Sequence, residues 1–221
     1  MNSLRHQALA VFLSGMLAAL PLLGSSPQGL VGVAQGVGTI QINGQPFGGQ
    51  ASLFSGDRIL TGTKSPLMVI SSPAERMRFE PGTQAQLSKD NQTTTIRLNL
   101  GAVDFRTAGE IRAALPDGIS VQPTEGKTTL ARVSRLANGN DEVAVYKGSV
   151  TVADASESVN VSAGHTAVVG PNASGAQNSQ SNKNNRKKKM WAILISSGLS
   201  AGAVAAILAN NQTNFVSVVD P

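Results

Sequence analysis

The chain has 221 residues, a formal net charge of +5, 41% hydrophobic residues and only 14% charged ones. Its 23 glycines and 10 prolines, with 4% aromatics, predict many turns and short strands rather than long helices. The absence of cysteine excludes a disulfide framework, a thiolate metal site, a cysteine nucleophile and a cysteine-linked lipid anchor.

Residues 1–34 open with Arg5 and His6 and run into an apolar stretch from Ala8 to Leu23. A positive start, an apolar run and small residues at Gly32-Val33-Ala34 predict a secretory signal peptide. A retained N-terminal anchor is the other reading of this segment, because Pro21 interrupts it and the small residues lie far downstream.

Residues 35–171 predict an all-β domain. Ile40 and Ile42 alternate with Thr39, Gln41 and Asn43, and Met77 and Phe79 alternate with Arg76, Arg78 and Glu80. Thr95 to Leu100 alternates as well, followed after Gly101 by Val103 and Phe105. Val143 and Val145, Val150 and Val152, and Val159 and Val161 repeat the pattern. Such strands have one dry and one wet face. The pairs Asn43-Gly44, Pro81-Gly82, Asp117-Gly118, Asn138-Gly139 and Lys147-Gly148 supply the turns. Antiparallel strands at this spacing pack as a sandwich, a barrel or a short solenoid-like stack. The one helical pattern in the domain, a short one, runs from Gly109 to Leu115.

Residues 172–189 form a polar linker that ends in the basic run Lys183, Arg186, Lys187, Lys188 and Lys189. Residues 190–209 carry no charge, and as a helix they would span about 30 Å, the depth of a bilayer core. Trp191 beside Lys187, Lys188 and Lys189 suits the membrane interface. Gly198 and Gly202 give that helix a small-residue face for self-association or for pairing with another helix. Residues 210–221 make a short tail. The lysines point to a cytoplasmic start for this helix and the N-terminal signal to an outside one; the outside topology is adopted.

Net charge does not make this a nucleic-acid binder. From Gly36 to Gly170 there are twelve Lys/Arg and twelve Asp/Glu, so the surplus sits in the linker and not on the folded domain. The chemistry-bearing residues are sparse. His165 is the domain's single histidine and has no carboxylate cluster in sequence, so no metal site is expected. Within residues 35–171 there is no Gly-x-Ser-x-Gly elbow, no His/Asp partner set can be assigned to a serine, and no phosphate-binding glycine loop follows a strand and opens a helix. No catalytic residue, cofactor or metal is therefore expected.

The stretch Phe54-Ser55-Gly56-Asp57-Arg58-Ile59-Leu60-Thr61-Gly62-Thr63-Lys64-Ser65 is the most distinctive in the chain. A strand precedes it at Gly36 to Gly44. Leu67 to Ile70, Phe79 to Thr83, Leu98-Asn-Leu-Gly-Ala-Val103, Glu142 to Val150 and Val161 to Gly164 follow in order. Over Gly36 to Gly170 this order resembles the FecR domain of bacterial envelope proteins. The resemblance implies an extracytoplasmic, non-catalytic β domain, with Gly56, Asp57, Thr61, Gly62, Ser65, Gly101 and Gly148 as motif positions of structural role. Signalling members carry a cytoplasmic helical region before their membrane helix, and the few residues ahead of Ala8 leave no room for one.

The expected function is a membrane-tethered interaction or ligand-binding module, periplasmic or outside the cell, acting in envelope assembly or scaffolding. Its partners would be the membrane and an envelope protein or polysaccharide, without nucleic acid. The other reading is an envelope sensor that relays a periplasmic signal through its membrane helix to a cytoplasmic regulator.

Overall fold

A computed structural model describes residues 29–170, except 109, 110, 125 and 156, together with the backbone of residues 194–197. The period-two segments form β1 (Leu30–Ile42), β2 (Gln45–Phe54), β3 (Arg58–Thr61), β4 (Leu67–Ser72), β5 (Glu75–Phe79), β6 (Gln84–Asp90) and β7 (Thr93–Thr107). They continue as β8 (Ile111–Ala114), β9 (Ser120–Pro123), β10 (Thr129–Arg135), β11 (Asp141–Lys147) and β12 (Ser149–Ala153). The last are β13 (Ser158–Ser162), β14 (His165–Val169) and β15 (Leu194–Ser197). Turns form where the chain offers positive φ: at the β1–β2 hairpin, Asn43 and Gly44 have φ of 54° and 77°.

Two sheets share one core. The first runs β2-β1-β4-β5-β7-β10-β11-β14-β15, antiparallel throughout. The second runs β3-β6-β7-β8-β9-β12-β13, with β7 and β8 parallel. Two long bent strands belong to both. β1 pairs β4 through Val33–Gly36 and β3 through Ile40–Ile42. β7 pairs β6 and β8 with its first half and β5 and β10 with its second. The circuit β1-β4-β5-β7-β6-β3 therefore closes into a six-strand barrel, and the remaining strands extend from it. Closure removes free edges from that half of the molecule. Phe79, Phe105, Met77, Leu87, Ile96 and Leu98 fill the core and are all fully buried.

Gly101 makes the β7 bend. It has φ of +85°, a value that L side chains rarely adopt, and a Cβ there would lie 2.6 Å from the Thr83 Cα. Sequence pattern suggests two strands interrupted at this glycine. The structure has one continuous strand, because the left-handed residue bends the ladder without ending it.

Three expectations are corrected. The helix expected from Gly109 to Leu115 is a strand where it is described: Ile111 and Ala113 face the core and Arg112 faces out, which is period two. The boundary placed after residue 34 falls inside β1, whose Val31 and Ala34 are core residues. Within residues 190–209, where a membrane helix is expected, Leu194–Ser197 are strand β15, paired with β14. Among the described residues no helix is long and apolar enough to cross a membrane. The rest of that stretch, with Trp191, Gly198, Gly202 and the lysines Lys187, Lys188 and Lys189, lies outside the described residues.

Candidate interaction face

The motif residues converge on the two bends. Thr61 Oγ1 donates to the Glu80 carbonyl at 2.6 Å and accepts from the Thr83 amide at 2.7 Å. Thr83 Oγ1 in turn donates to the Ala102 carbonyl and accepts from its amide, at 2.9 and 3.1 Å. This two-hydroxyl relay ties β3 to the β5–β6 loop and to β7 just beyond Gly101. On the other side, the Gly62 amide donates to the Thr39 carbonyl at 2.6 Å, and Ser65 Oγ accepts from the Thr39 amide at 2.9 Å. A Cβ on Gly62 would lie 2.5 Å from that carbonyl, so the position must stay bare. One short segment thus pins the bend of β1 and the bend of β7 together.

Asp57 closes the neighbouring turns. Its carboxylate accepts from the Phe54 amide at 2.8 Å and from Asn43 Nδ2 at 2.7 Å, while Asn43 Oδ1 accepts from the Arg58 amide at 2.9 Å. Gly56 lies in the turn before it, with φ of +102°. Gly148 sits apart, in the β11–β12 turn beside Thr129. The contacts described for these residues are hydrogen bonds and close approaches within the fold. Thr61→Val is expected to cost about 2 kcal/mol, because it removes the partner of the buried Thr83 amide and of the part-buried Glu80 carbonyl at once. Urea unfolding at constant m-value would measure it.

Charge is sorted by face. On the outer surface of the first sheet, the cross-strand row Arg78, Asp104 and Arg132 is joined by Glu80. Arg78 Nε lies 3.6 Å from Glu80 Oε1, Arg132 Nη2 3.8 Å from the same oxygen, and Arg132 Nε 3.8 Å from Asp104 Oδ1. Asp104 is 1% exposed and its Oδ1 receives no donor. Burial, then the neighbouring Glu80 carboxyl as a partner for its proton, push its pKa up to about 7, against the pull of Arg132. Nearby, Arg135 Nη1 bonds both oxygens of buried Asp141 at 3.2 and 3.1 Å, and its Nη2 lies 3.7 Å from Asp117. Burial raises Asp141 to about 6 in spite of Arg135. Arg76 and Arg106 stand opposite each other on the same face; among the described residues neither is in an ion pair, and Arg76 Nε is buried without a hydrogen-bond partner.

The outer surface of the second sheet is different. Arg58 of β3 stands opposite Gln86 of β6, which stands opposite Arg97 of β7. Arg112 of β8 lies one diagonal step further and donates through Nη2 to Gln122 Oε1 of β9 at 2.9 Å. Gln122 stands opposite Thr151 of β12, and Thr151 opposite Asn160 of β13. The result is a polar track perpendicular to the strands, about 29 Å long at ordinary strand spacing. Among the described residues, no ion pair involves Arg58, Arg97 or Arg112. The one carboxylate at an outward position of these strands is Asp90, at the far tip of the β6–β7 hairpin. At its β3 end the track opens into a depression of about 510 Å³ lined by Gln41, Arg58, Leu60, Gln84, Gln86 and Arg97 among others.

Sequence reasoning missed this face. The domain's balanced total of acids and bases concealed it, because its members come from strands far apart in the chain. Period two assigns each residue to an outward face, and only the pairing order shows which outward residues adjoin. His165 is half-buried at the start of β14, with Nδ1 3.2 Å from the Ala163 carbonyl. Among the described residues no group of three or more His, Cys, Asp or Glu is placed to hold a metal ion.

No protein-family model matches the chain, and no curated protein matches it. Among solved structures it is similar to two crystal structures of a "putative anti-sigma factor" from Parabacteroides distasonis, at 13% and 14% sequence identity and a TM-score of 0.48 in each case. The match covers 68% of this chain and 63% and 64% of theirs, so the chain spans less than two thirds of either.

Proposed function

We propose that this chain is a non-enzymatic, extracytoplasmic module of FecR-like type, held at the membrane, which acts in envelope assembly or scaffolding by docking a partner on the second sheet. The observation that supports it is the acid-poor outer face with three arginines outside any ion pair. A surface that needed only solubility would mix the two signs, as the first sheet does. Arginines without carboxylate neighbours keep their donors available for a partner. Attachment rests on residues 190–209, an uncharged stretch long enough to enter a bilayer. Membrane insertion of that stretch requires β15 to leave β14.

The second reading, a sensor that relays occupancy to a cytoplasmic regulator, is favoured by β15 itself. Pairing of Leu194–Ser197 with β14 joins the C-terminal segment mechanically to the sheet. Photo-crosslinking of the full chain in its native membranes separates the two. A crosslinker at Gln122 is expected to capture an envelope component, and one at Ser134, on the first sheet, is not. Equal capture at both positions would overturn the docking face. A cytoplasmic protein captured through residues 210–221 would replace scaffolding with relay.

A further inference from the structure

We infer that the track from Arg58 to Asn160 binds a linear acidic polysaccharide, with carboxylates of the glycan seated on Arg58 and Arg97 and its hydroxyls on the amide side chains between and beyond them. The inference deepens the docking face proposed above and rests on it. Four observations point the same way, and each constrains the ligand's chemistry.

The first is shape. The track crosses seven strands, β3 to β13, in an unbroken outward row. Its length of about 29 Å suits an extended chain rather than a compact small molecule. The second is charge. Arg58 and Arg97 flank Gln86 at two strand spacings, about 10 Å, and neither guanidinium is in an ion pair. Two cations held at that distance fit anions spaced along one ligand. Phosphate-dense nucleic acid fits poorly: duplex DNA presents a charge about every 1.7 Å of axis, and the track offers three arginines over its whole length. Single-stranded nucleic acid would need aromatic side chains for stacking, and the track has none.

The third observation is the set of neutral groups. Gln86, Gln122, Thr151 and Asn160 each combine donor and acceptor capacity. Part of that capacity is used within the fold, where Gln86 Nε2 donates to the Gly56 carbonyl at 3.1 Å and Gln122 Oε1 accepts from Arg112; the remainder suits sugar hydroxyls, which also donate and accept. The fourth is what the second sheet lacks. Among the described residues both sheets carry arginines outside ion pairs, but on the first sheet Arg76 and Arg106 share their face with Arg78 and Arg132, which lie beside Glu80 and Asp104. No carboxylate stands along the row from Arg58 to Asn160.

The test uses the full-length chain in detergent, with polygalacturonate as the probe and neutral dextran and polyglutamate beside it. Polygalacturonate is expected to bind saturably and to weaken as salt rises; dextran is not expected to bind. Arg58→Gln and Arg97→Gln should each weaken polygalacturonate binding about tenfold, the size of one charge-assisted hydrogen bond. Lys127→Gln and Lys147→Gln, each made singly so that one charge is removed as in each arginine variant, lie at exposed positions and should leave it unchanged. Arg97→Lys should recover only part of the loss, since an ammonium cannot form the paired hydrogen bonds of a guanidinium. Equal weakening by the lysine controls would reduce the effect to bulk charge and overturn the inference. Tighter binding of polyglutamate through the same arginines would make the occupant an acidic protein, which overturns the glycan while leaving the docking face standing. If no polyanion binds and the Gln122 crosslinker captures nothing, both fall together.

Discussion

Gly101→Ala is expected to lower the unfolding free energy by about 3 kcal/mol or more, while Gly82→Ala lowers it by about 1 kcal/mol. Both glycines have positive φ, +85° and +74°, so both substitutions carry the left-handed penalty of an L residue. They differ in what surrounds the new methyl group. At Gly82 nothing lies within 4 Å; at Gly101 the Cβ would meet Thr83 Cα and Oγ1, each at 2.6 Å, and the Gly82 carbonyl oxygen at 2.9 Å. Backbone atoms cannot rotate away as a side-chain tip can, so the strand must move. The cost then spreads, because Thr83 Oγ1 is the group that holds Ala102 and β7 belongs to both sheets. Chemical unfolding of the two variants beside the parent chain gives the comparison directly. Equal losses would show that crowding at the bend is not what fixes this glycine.

The same bend shows what sequence could and could not supply. Alternation of Ile96, Leu98, Val103 and Phe105 with polar neighbours is local information, and every one of those four side chains is in the core. Turn chemistry is also local, so Asn43-Gly44 marks its hairpin unaided. Barrel closure is not local. It depends on Gly101 bending a strand instead of ending it, and on β3 finding β6 across the closing seam. Ile111-Arg112-Ala113 was too short to distinguish a helical turn from a strand by composition, and a parallel partner in β7 decided it. Leu194–Ser197 reads as membrane helix because the surrounding run is long and uncharged; an available edge on β14 leaves no mark in that segment. The polar track was hidden for the same reason, since Arg58, Arg97 and Arg112 become neighbours only through pairing.

The motif segment, in contrast, was conspicuous as sequence yet its role was opaque. Thr61, Gly62 and Ser65 are small residues with no evident chemistry. Their hydrogen bonds reach Thr39 in one direction and, through Thr83, Ala102 in the other. Residues that staple two bends have to be small, polar and buried, and that combination looks unremarkable until the two bends are seen side by side. The turn around Asp57 bears on the track: the Arg58 amide donates to Asn43 Oδ1 at 2.9 Å and Gln86 Nε2 donates to the Gly56 carbonyl at 3.1 Å, so the positions of Arg58 and Gln86 depend on that turn. Rigid support of this kind favours binding, because fewer side chains must be ordered when a partner arrives.

Stability is expected to fall as pH rises from 5 to 8, and Asp104→Asn is expected to remove most of that slope. The sign follows from the direction of the shift. Burial raises Asp104 to about 7 and Asp141 to about 6 in the folded chain, whereas an unfolded aspartate titrates near 3.9. The folded state therefore holds more protons than the unfolded state across this interval, and unfolding becomes easier as they are lost. Each such group contributes a slope of up to about 1.4 kcal/mol per pH unit between its two pKa values. That contribution is fully present below the unfolded pKa and gone above the folded one. Asparagine at position 104 imitates the protonated carboxyl and keeps a donor for Glu80. The variant should match the parent below about pH 4, the unfolded aspartate pKa, and exceed it by a margin that grows up to about pH 7; its remaining slope, from Asp141, should end near pH 6. Urea unfolding across the pH series, read by tryptophan-independent far-UV circular dichroism, measures all three. A parent chain that gains stability between pH 5 and 8, or an Asp104→Asn variant weaker than the parent at pH 8, would mean that Arg78 and Arg132 outweigh burial and hold Asp104 ionised. In that case Arg78, Glu80, Asp104 and Arg132 would form a stabilising network of charges.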